Sequence, residues 1–450
     1  MFDKILIANR GEIAVRIIRA CKELGIKTVA VFSEIDRNAL HVKLADEAVC
    51  IGPANSKDSY LNMKNILEAT CLTNAQAIHP GFGFLSENSM FAKVCEESNI
   101  KFIGPSAEVI DMLGNKSNAK EMMKKAKVPV VPGSDGNVES LEDALEIANK
   151  IKYPAMIKAT SGGGGKGIRL VKNDEELIKN FELVKQEAKV SFNDENVYIE
   201  KFIENPRHIE VQILADEYGN VIQLGERDCS VQRRNQKMIE ESPSVFIDSE
   251  KRKKLGEAAV NAAKAVGYTN AGTIEFLVDK NGDFYFMEMN TRIQVEHPVT
   301  ESVTGIDIVK EQLKIAYGEK LQYKQKDIEN RGHAIECRIN AEDPENNFMP
   351  FPGTIQKLVV PGGMGVRIDS SMYSGYTIPP VYDSMFSKVI VHAPTREEAI
   401  CKMLSALAEF EIEGIKTNRE FLMKILENKT FKNGKFDTSF VEKFIKNEVK

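Results

Sequence analysis

The sequence predicts an α/β fold at the N-terminus and α+β structure beyond it. Apolar runs at 4–8, 28–32 and 75–79 are typical of buried strands, and amphipathic helical stretches at 12–24 and 60–69 separate them, which predicts a parallel sheet. A glycine-rich loop between two apolar runs predicts a mobile flap, and a hairpin signal at residues 281 and 282 predicts antiparallel strands. A strand through Arg338 and helices near 396–410 and 418–428 should close the chain.

Composition indicates a reduced, intracellular enzyme with room for about three domains, at about 150 residues each in 450. The balance of 60 basic and 66 acidic residues gives a net charge of −6 without a basic run, which argues against nucleic acid or an anionic membrane as partner. The seven cysteines lack CxxC spacing, so neither a disulfide framework nor a zinc site is expected, and a cytoplasmic location follows. The N-terminus lacks the apolar core of a signal peptide.

The glycine-rich segment at 153–178 predicts a loop that covers phosphates. Its glycines fit GxGxxG at Gly162, Gly164 and Gly167, but an apolar run at 168–171 follows where a dinucleotide-binding motif needs a helix, and no Walker lysine is present. The order strand, glycine loop, strand is that of a flap whose backbone N–H groups approach phosphate, with Lys158 and Lys166 as nearby cations. A flexible linker is the alternative interpretation. The first turn, residues 9–12, lacks phosphate-binding glycines, so the N-terminal sheet should be structural.

Residues 283–300 predict a polar ladder next to a metal site. In an extended segment the side chains at 288, 290, 292, 294 and 296 share one face. A two-residue Asn281-Gly282 turn would set Glu275 opposite Glu288, and such a like-charge pair is destabilising unless a cation bridges it. Two carboxylates and the amide of Asn290 suit Mg²⁺. A bulge or a longer turn would shift this register by one, and a solvated strand face is the alternative.

Further motifs along the chain resemble those of one enzyme family. They are KILIANRGEIAVRIIRA at 4–20, AIHPGFGFLSEN at 77–88, YIEKFIENPRHIEVQ at 198–212, ERDCSVQRRNQK at 226–237 and GHAIECRINAED at 332–343. In this order, they resemble the biotin carboxylases of the ATP-grasp superfamily over essentially the whole chain. The resemblance implies four segments: a Rossmann-like domain at 1–113, a linker and lid with the glycine flap at 114–203, an ATP-grasp core with the metal and bicarbonate site at 204–331, and a C-terminal mixed α/β region at 332–450.

The resemblance also implies substrates and residue roles. The substrates are ATP with Mg²⁺ or Mn²⁺, bicarbonate, and biotin that is not attached to this chain. ATP would be bound by Lys116, Lys158, Gly162, Gly163, Gly164, Gly165, Lys166, Gly167, Glu200, Lys201, Ile203, His208 and Gln232. The metal would be held by Glu275, Glu288 and Asn290. Bicarbonate would be bound by Lys237, Arg292, Gln294 and Val295, with Glu296 as the base, and biotin by Arg338. Catalysis would involve Lys237, Arg292, Glu296 and Arg338.

Partners implied by the resemblance are a biotin carboxyl carrier protein, carboxyltransferase subunits and a second copy of the chain. The helix stripe Arg16, Arg19 and Glu23 is the expected dimer contact. No lysine lies in an AMKM-like turn, so biotin should arrive on a separate carrier. Acetyl-CoA is the preferred final acceptor, since the chain ends soon after the carboxylase region; pyruvate and propionyl-CoA systems are alternatives. Two other classes stay open: an ATP-grasp ligase that joins a carboxylate to an amine, and a nucleotide-binding regulatory module.

Several residues have simpler interpretations or depart from the family pattern. Arg338, considered alone, would be expected in a salt bridge with Glu336. His79 and His208 would ordinarily be structural, and the methionines at 122, 123, 287 and 289 would be core. Phe82 replaces a tyrosine of the family, and Asn235 replaces a histidine found in one branch.

Overall fold

The computed structural model describes residues 1–160, 167–192 and 194–448, apart from the side chains of residues 116, 117, 447 and 448. Its N-terminal part is a parallel sheet in the order β3-β2-β1-β4-β5, flanked by helices, as predicted. The elements are β1 (Lys4–Ile7), α1 (Gly11–Glu23), β2 (Lys27–Ser33), α2 (Leu40–Leu44), β3 (Glu47–Gly52), α3 (Met63–Thr73), β4 (Ala77–His79), α4 (Ser89–Glu97), β5 (Lys101–Phe102) and α5 (Ala107–Gly114).

The first turn of this sheet is held by side-chain contacts. Asn9 Nδ2 donates hydrogen bonds to the carbonyls of Pro80 and Phe82, both at 2.7 Å, which ties the β1 turn to the loop after β4. His79 is fully buried, its Nδ1 accepts from the Gly81 N–H at 3.1 Å, and burial lowers its pKa to about 3. These contacts support the structural interpretation of the turn and of His79.

A small antiparallel sheet, β7-β6-β8, forms the next part of the chain. The predicted order strand, glycine loop, strand is confirmed, and Ala159 N–H donates to the Gly167 carbonyl at 2.8 Å, so the two ends of the loop are joined. Leu177, Phe181 and Val184 cover the sheet from one helix. The elements are α6 (Lys116–Lys125), α7 (Leu141–Ile151), β6 (Ala155–Ala159), β7 (Ile168–Val171), α8 (Asp174–Phe192) and β8 (Val197–Lys201).

The largest sheet of the described part of the chain has the order β13-β12-β9-β10-β11-β14-β21-β19. The boundary expected between residues 331 and 332 does not divide this sheet, because β11, which precedes it, pairs with β14, which follows it. The elements up to that boundary are β9 (Arg207–Ala215), β10 (Val221–Arg233), β11 (Gln236–Ser242), α9 (Ser249–Ala265), β12 (Asn270–Val278), β13 (Phe284–Asn290), α10 (His297–Thr304) and α11 (Ile308–Ala316).

Beyond the boundary lie β14 (His333–Asn340), β15 (Glu342–Asp343), β16 (Met349–Pro350), β17 (Gly353–Thr354), β18 (Lys357–Val359), β19 (Val366–Ser370), β20 (Thr377–Ile378), β21 (Met385–Ala393), α12 (Arg396–Glu409), β22 (Glu411–Glu413), α13 (Arg419–Glu427), α14 (Lys429–Lys432) and α15 (Phe440–Glu448). The strand through Arg338 and the two closing helices are thus confirmed as β14, α12 and α13. Over the ranges that the structure covers, every helix is too short or too polar to cross a bilayer.

The hairpin β12–β13 reaches the predicted pairing by a different route. Its loop has three residues, since Asp279 N–H donates to the Asp283 carbonyl and Phe276 pairs with Phe286. A bulge at Met287 then shifts the register by one, so Glu275 faces Glu288 as predicted. The predicted two-residue turn was wrong. The extra loop residue shifts the register by one and the bulge shifts it back, so the predicted pairing is kept.

One further expectation about local structure was wrong. Strand β13 ends at Asn290, and the chain bends before α10, so 292, 294 and 296 do not continue an extended ladder. In the helix stripe expected at the dimer contact, Arg16 is buried and donates to Glu301 at 2.8 Å and Asp307 at 2.7 Å. Tertiary pairing within the chain uses this cation, and only Arg19 and Glu23 of the stripe are exposed.

Candidate active site

One cavity of about 1680 Å³ opens between the large sheet, the β6–β8 sheet and the first turn of the N-terminal domain. Most of the predicted site residues line it: Lys158, Glu200, Lys201, Ile203, His208, Gln232, Lys237, Glu275, Glu288, Asn290, Arg292, Gln294, Val295 and Arg338. Glu296 is fully buried and contacts two of these side chains. Gly167 lies at the base of the loop against Ala159, away from the lining. Residues 162–166 and the side chain of Lys116 lie outside the described part.

A lysine among three carboxylates forms the centre of the site. Lys237 Nζ lies 2.6 Å from Glu210, 3.0 Å from Glu275 and 2.6 Å from Glu296. Glu210 is also bound by the fully buried Arg227 at 2.5 Å. Burial alone would lower the pKa of Lys237, but the three carboxylates raise it well above its usual value. Lys237 is therefore a fixed cation.

Glu296 lies between two cations. Its Oε1 contacts Lys237, and its Oε2 accepts a hydrogen bond from Arg338 at 2.9 Å. Although burial tends to raise the pKa of Glu296, Lys237, Arg338 and Arg227 hold it well below its usual value, so the carboxylate is ionised. Arg338 also donates to Glu240 at 2.6 Å, and this, not the expected Glu336, is its second salt-bridge partner. The sheet pairs Glu240 with Glu336 across β11 and β14, but the guanidinium turns toward β11.

A second polar group lies where β13 ends. The Arg292 guanidinium donates to Glu87 at 2.9 Å, to Gln294 Oε1 at 2.9 Å and to Asn290 Oδ1 at 3.1 Å. Gln294 Nε2 donates to Glu275 at 3.0 Å, which joins this group to the lysine centre. The five side chains of the predicted ladder therefore converge, but through a bend held by Glu87 rather than through strand alternation.

The lid side of the cavity carries a carboxylate between two lysines. Glu200 accepts from Lys158 at 2.7 Å and from Lys120 at 2.9 Å. Burial would raise the pKa of Glu200, but the two lysines lower it. Lys120 lies four residues after Lys116 on α6. Lys201 Nζ donates to the carbonyls of residues 152 and 153, so its ammonium is directed away from the centre.

Part of the cavity is an apolar wall to which both the β6–β8 sheet and the large sheet contribute. It is lined by Met156, Phe202, Ile203, Leu277 and Met287. Met287 was expected in the core, whereas it is the bulge residue of β13 and lines the cavity. Met123 and Met289 are buried in the core, as expected.

The residues predicted to hold a metal meet two tests of fit. Glu275 and Glu288 are directly paired across strands and line one cavity, which is a destabilising arrangement without a cation. Asn290 follows at the end of the same strand and lines the same cavity, so its amide oxygen adds a third ligand of the kind that Mg²⁺ prefers. His208, Glu210 and Glu275 also bring three ligand atoms within 4.8 Å. Lys237 contacts two of those carboxylates, so its charge opposes a cation there, and the Glu288 side is favoured.

Several residues of the site were not found from the sequence. Glu210 could have been found, because His208, Glu210 and Gln212 alternate along β9 and so share one face of a recognised motif. Lys120 could have been found from its i+4 spacing to Lys116. Arg227 and Glu240 could not, since their contacts depend on the pairing of strands that are distant in sequence.

The two departures from the family pattern occupy the cavity wall. Arg234 and Asn235 form a two-residue turn between β10 and β11 with φ of 50° and 64°, and asparagine tolerates this left-handed backbone. Asn235 therefore presents an amide at the edge of the cavity. Phe82 lies on the N-terminal side and packs against the core with no hydroxyl to donate.

Comparison with known proteins agrees with this geometry. Residues 1–110 match the model of the biotin carboxylase N-terminal domain, 115–324 the ATP-binding domain of the carbamoyl-phosphate synthase L chain, and 336–443 the biotin carboxylase C-terminal domain. Biotin carboxylase 1 of Bacillus subtilis is 61% identical over 445 residues, 99% of each chain. The biotin carboxylase of a Nostoc species is 60% identical over 99% of this chain and 100% of its own length.

A solved structure extends the comparison to the fold. The biotin carboxylase domain dimer of Hydrogenobacter thermophilus 2-oxoglutarate carboxylase, in complex with MgADP, ADP and bicarbonate, is similar with a TM-score of 0.92 and 54% identity, over 98% of each chain. The predicted α/β and ATP-grasp architecture is confirmed by this likeness. The chain belongs to the biotin carboxylase family and is an ATP-dependent ligase.

Proposed function

We propose that this protein transfers the carboxyl group of bicarbonate to biotin, at the expense of ATP, through carboxyphosphate. The observation that supports this best is the continuous contact of Lys237, Glu296 and Arg338 at the floor of one cavity. A base, a cation for the phosphate and a cation for an enolate are all required by this reaction. Membership of the biotin carboxylase family supports the same conclusion.

ATP would lie between the lid and the large sheet. The apolar wall around Met156, Leu277 and Met287 suits the adenine ring, and the backbone at 201–203 suits its polar edge. Lys158, with Lys116 and the loop at 162–167, would bind the phosphates, and His208 and Gln232 would lie nearby. Lys158 is paired with Glu200 at 2.7 Å, and its ammonium has further N–H donors for phosphate. Mg²⁺ or Mn²⁺ held by Glu275, Glu288 and Asn290 would neutralise the phosphate oxygens.

Bicarbonate would bind at the bend after β13. Arg292, Gln294 and the N–H of Val295 would fix its oxygens, with Lys237 between bicarbonate and the γ-phosphate. Glu296 would accept the bicarbonate proton as an oxygen attacks the γ-phosphorus and ADP leaves. A carboxylate whose pKa is held low is a weak base. An incoming anion would draw Lys237 and Arg338 away from Glu296, which raises its pKa when the proton must be accepted.

The second step carboxylates biotin. Carboxyphosphate would break its C–O bond to give CO₂ and phosphate. The ureido nitrogen of biotin would then give its proton to the released phosphate and attack CO₂. Arg338 would stabilise the resulting enolate oxygen, because a buried guanidinium remains charged and donates two hydrogen bonds. Closure of the lid would exclude water from carboxyphosphate.

The partners follow from this reaction. Biotin would arrive on a carrier protein, and carboxyltransferase subunits would pass the carboxyl group on, with the chain acting as a homodimer. Acetyl-CoA carboxylase is the proposed system. A 2-oxoglutarate system is the second candidate, because the similar solved structure comes from 2-oxoglutarate carboxylase; pyruvate and propionyl-CoA are further options. The seven unpaired cysteines support a cytoplasmic location.

A steady-state assay of ATP hydrolysis with Mg²⁺ tests the function. The proposal predicts turnover that requires both bicarbonate and free biotin. Turnover without biotin but with an added amine would instead support a carboxylate-amine ligase. Nucleotide binding without turnover would support a regulatory module.

A further inference from the structure

A buried lysine lies next to Arg338 with no role in the reaction described above. Lys388 on β21 is directly opposite Arg338 on β14 and is fully buried. Two cations in direct cross-strand contact destabilise a sheet, so this pair is unusual for a buried position. Such a pair needs compensating contacts to be stable.

The contacts of Lys388 converge on the residues next to the base. Its Nζ donates to the Val295 carbonyl at 2.7 Å, lies 3.2 Å from Glu12 and 4.0 Å from Asp369. Burial tends to lower the pKa of Lys388, but Glu12, Glu336 and Asp369 raise it, so the ammonium stays charged. Arg338 thus holds the Glu296 carboxylate, while Lys388 holds the carbonyl that precedes Glu296.

The sequence explains why the Val295 carbonyl needs this donor. Val295 precedes Glu296, the N-cap of α10, so its carbonyl lies outside the helix and has no intrahelical donor. Residue 298 is proline and has no N–H, and Val299 N–H donates to the Glu296 carbonyl at 3.3 Å. A buried carbonyl without a partner is costly, and Lys388 supplies a charged one.

We infer that Lys388 is a positioning residue for bicarbonate activation. It fixes the peptide that joins Val295 to Glu296. The backbone on either side of that peptide carries the Val295 N–H and the base, so the orientation of both depends on it. This inference rests on the proposed function, in which those two groups bind and deprotonate bicarbonate. A purely structural role, as the counter-charge of Glu12, is the alternative.

Lys388→Met tests the inference, because methionine has similar length and cannot donate. We expect the KM for bicarbonate to rise about tenfold or more, the equivalent of losing one charged hydrogen bond, with kcat reduced and the KM for ATP within about twofold of the wild type. Glu12→Gln is the matched control: it removes the ion pair and keeps the Val295 contact, so its KM for bicarbonate should stay near that of the wild type.

The double variant Glu12→Gln, Lys388→Met removes both charges of this ion pair, so the Glu12 carboxylate is not left without its cation. It should fold and retain the high KM for bicarbonate. A normal KM for bicarbonate in either variant that lacks Lys388 would overturn the inference, as would equal rises for bicarbonate and ATP. A wild-type protein that hydrolyses ATP without needing bicarbonate would count against the proposed function instead.

Discussion

Glu296 is the residue whose role depends most on its surroundings. Its two oxygens are bound by Lys237 and Arg338, and both contacts would have to yield to substrate. The sequence could assign it a role only through the resemblance, because the cations that lower its pKa come from β11 and β14. At the residue scale, sequence motifs predicted which side chains line the cavity. They did not predict that Lys237 also pairs with Glu210, or that Arg338 also pairs with Glu240.

Replacing Glu296 with glutamine should separate binding from chemistry. Glutamine keeps the size of the side chain but cannot accept the bicarbonate proton, so bicarbonate-dependent turnover should fall by about a hundredfold or more. ATP affinity should stay within about twofold, because the hydrogen bonds of Glu296 among the described residues are with Lys237, Arg338 and Cys229. Nucleotide titration calorimetry and steady-state rates measure the two effects. A loss of ATP affinity in proportion to rate would assign Glu296 to nucleotide binding.

At the scale of elements, the β12–β13 hairpin shows what a turn rule can and cannot predict. Apolar alternation predicted the strands, and the Asn281-Gly282 signal predicted their antiparallel pairing. The three-residue loop and the Met287 bulge depend on contacts outside the hairpin, such as the β12 pairing with β9, which local sequence does not contain. The longer loop without the bulge, or the bulge without the longer loop, would have moved Glu288 out of register with Glu275.

Replacement of Glu288 with glutamine tests whether the paired carboxylates hold the metal. Glutamine relieves the like-charge pair with Glu275 and removes a ligand charge, so the variant should fold while Mg²⁺-dependent turnover is lost. Met287→Ala, at the neighbouring bulge, is the control: it should retain turnover and raise the KM for ATP several-fold through lost contact with the apolar wall. Rates measured over a Mg²⁺ titration distinguish the two variants. Normal activity of Glu288→Gln would show that this carboxylate is dispensable for metal binding.

At the scale of the whole molecule, one charged surface lies outside the active site. Arg19 and Glu23 on α1 border a shallow cavity of about 340 Å³ together with Asp307 and Arg367. We predict a homodimer through this surface that weakens with salt, since ion pairs are screened. Arg19→Ala should shift sedimentation toward monomer, and Lys64→Ala, at an exposed position on α3, should not. A salt-insensitive monomer at concentrations well above micromolar would contradict this.

Acid should destabilise the N-terminal domain through its buried histidines. Burial lowers the pKa of His41 to about 4, below its ordinary value of 6.5, so the unfolded chain binds the proton more readily. The stability that neutral His41 contributes is therefore complete above pH 6.5 and is lost as pH falls toward 4. His41→Gln should remove this dependence, about 1.4 kcal/mol per pH unit. Urea unfolding at several pH values measures the free energy of unfolding of the wild type and the variant. If the prediction is wrong, the two free energies will change with pH in parallel.

Transfer of isotopically labelled bicarbonate carbon to biotin tests the proposed function most directly. With ATP, Mg²⁺ and a biotinylated carrier protein, label should appear on the carrier and be released by acid, and none should appear on the carrier when ATP is omitted. Arg338→Ala should retain ATP binding and lose the label, because the enolate then has no cation. ATP-dependent incorporation of label into an added amine, or no incorporation at all into biotin, would contradict the proposed function.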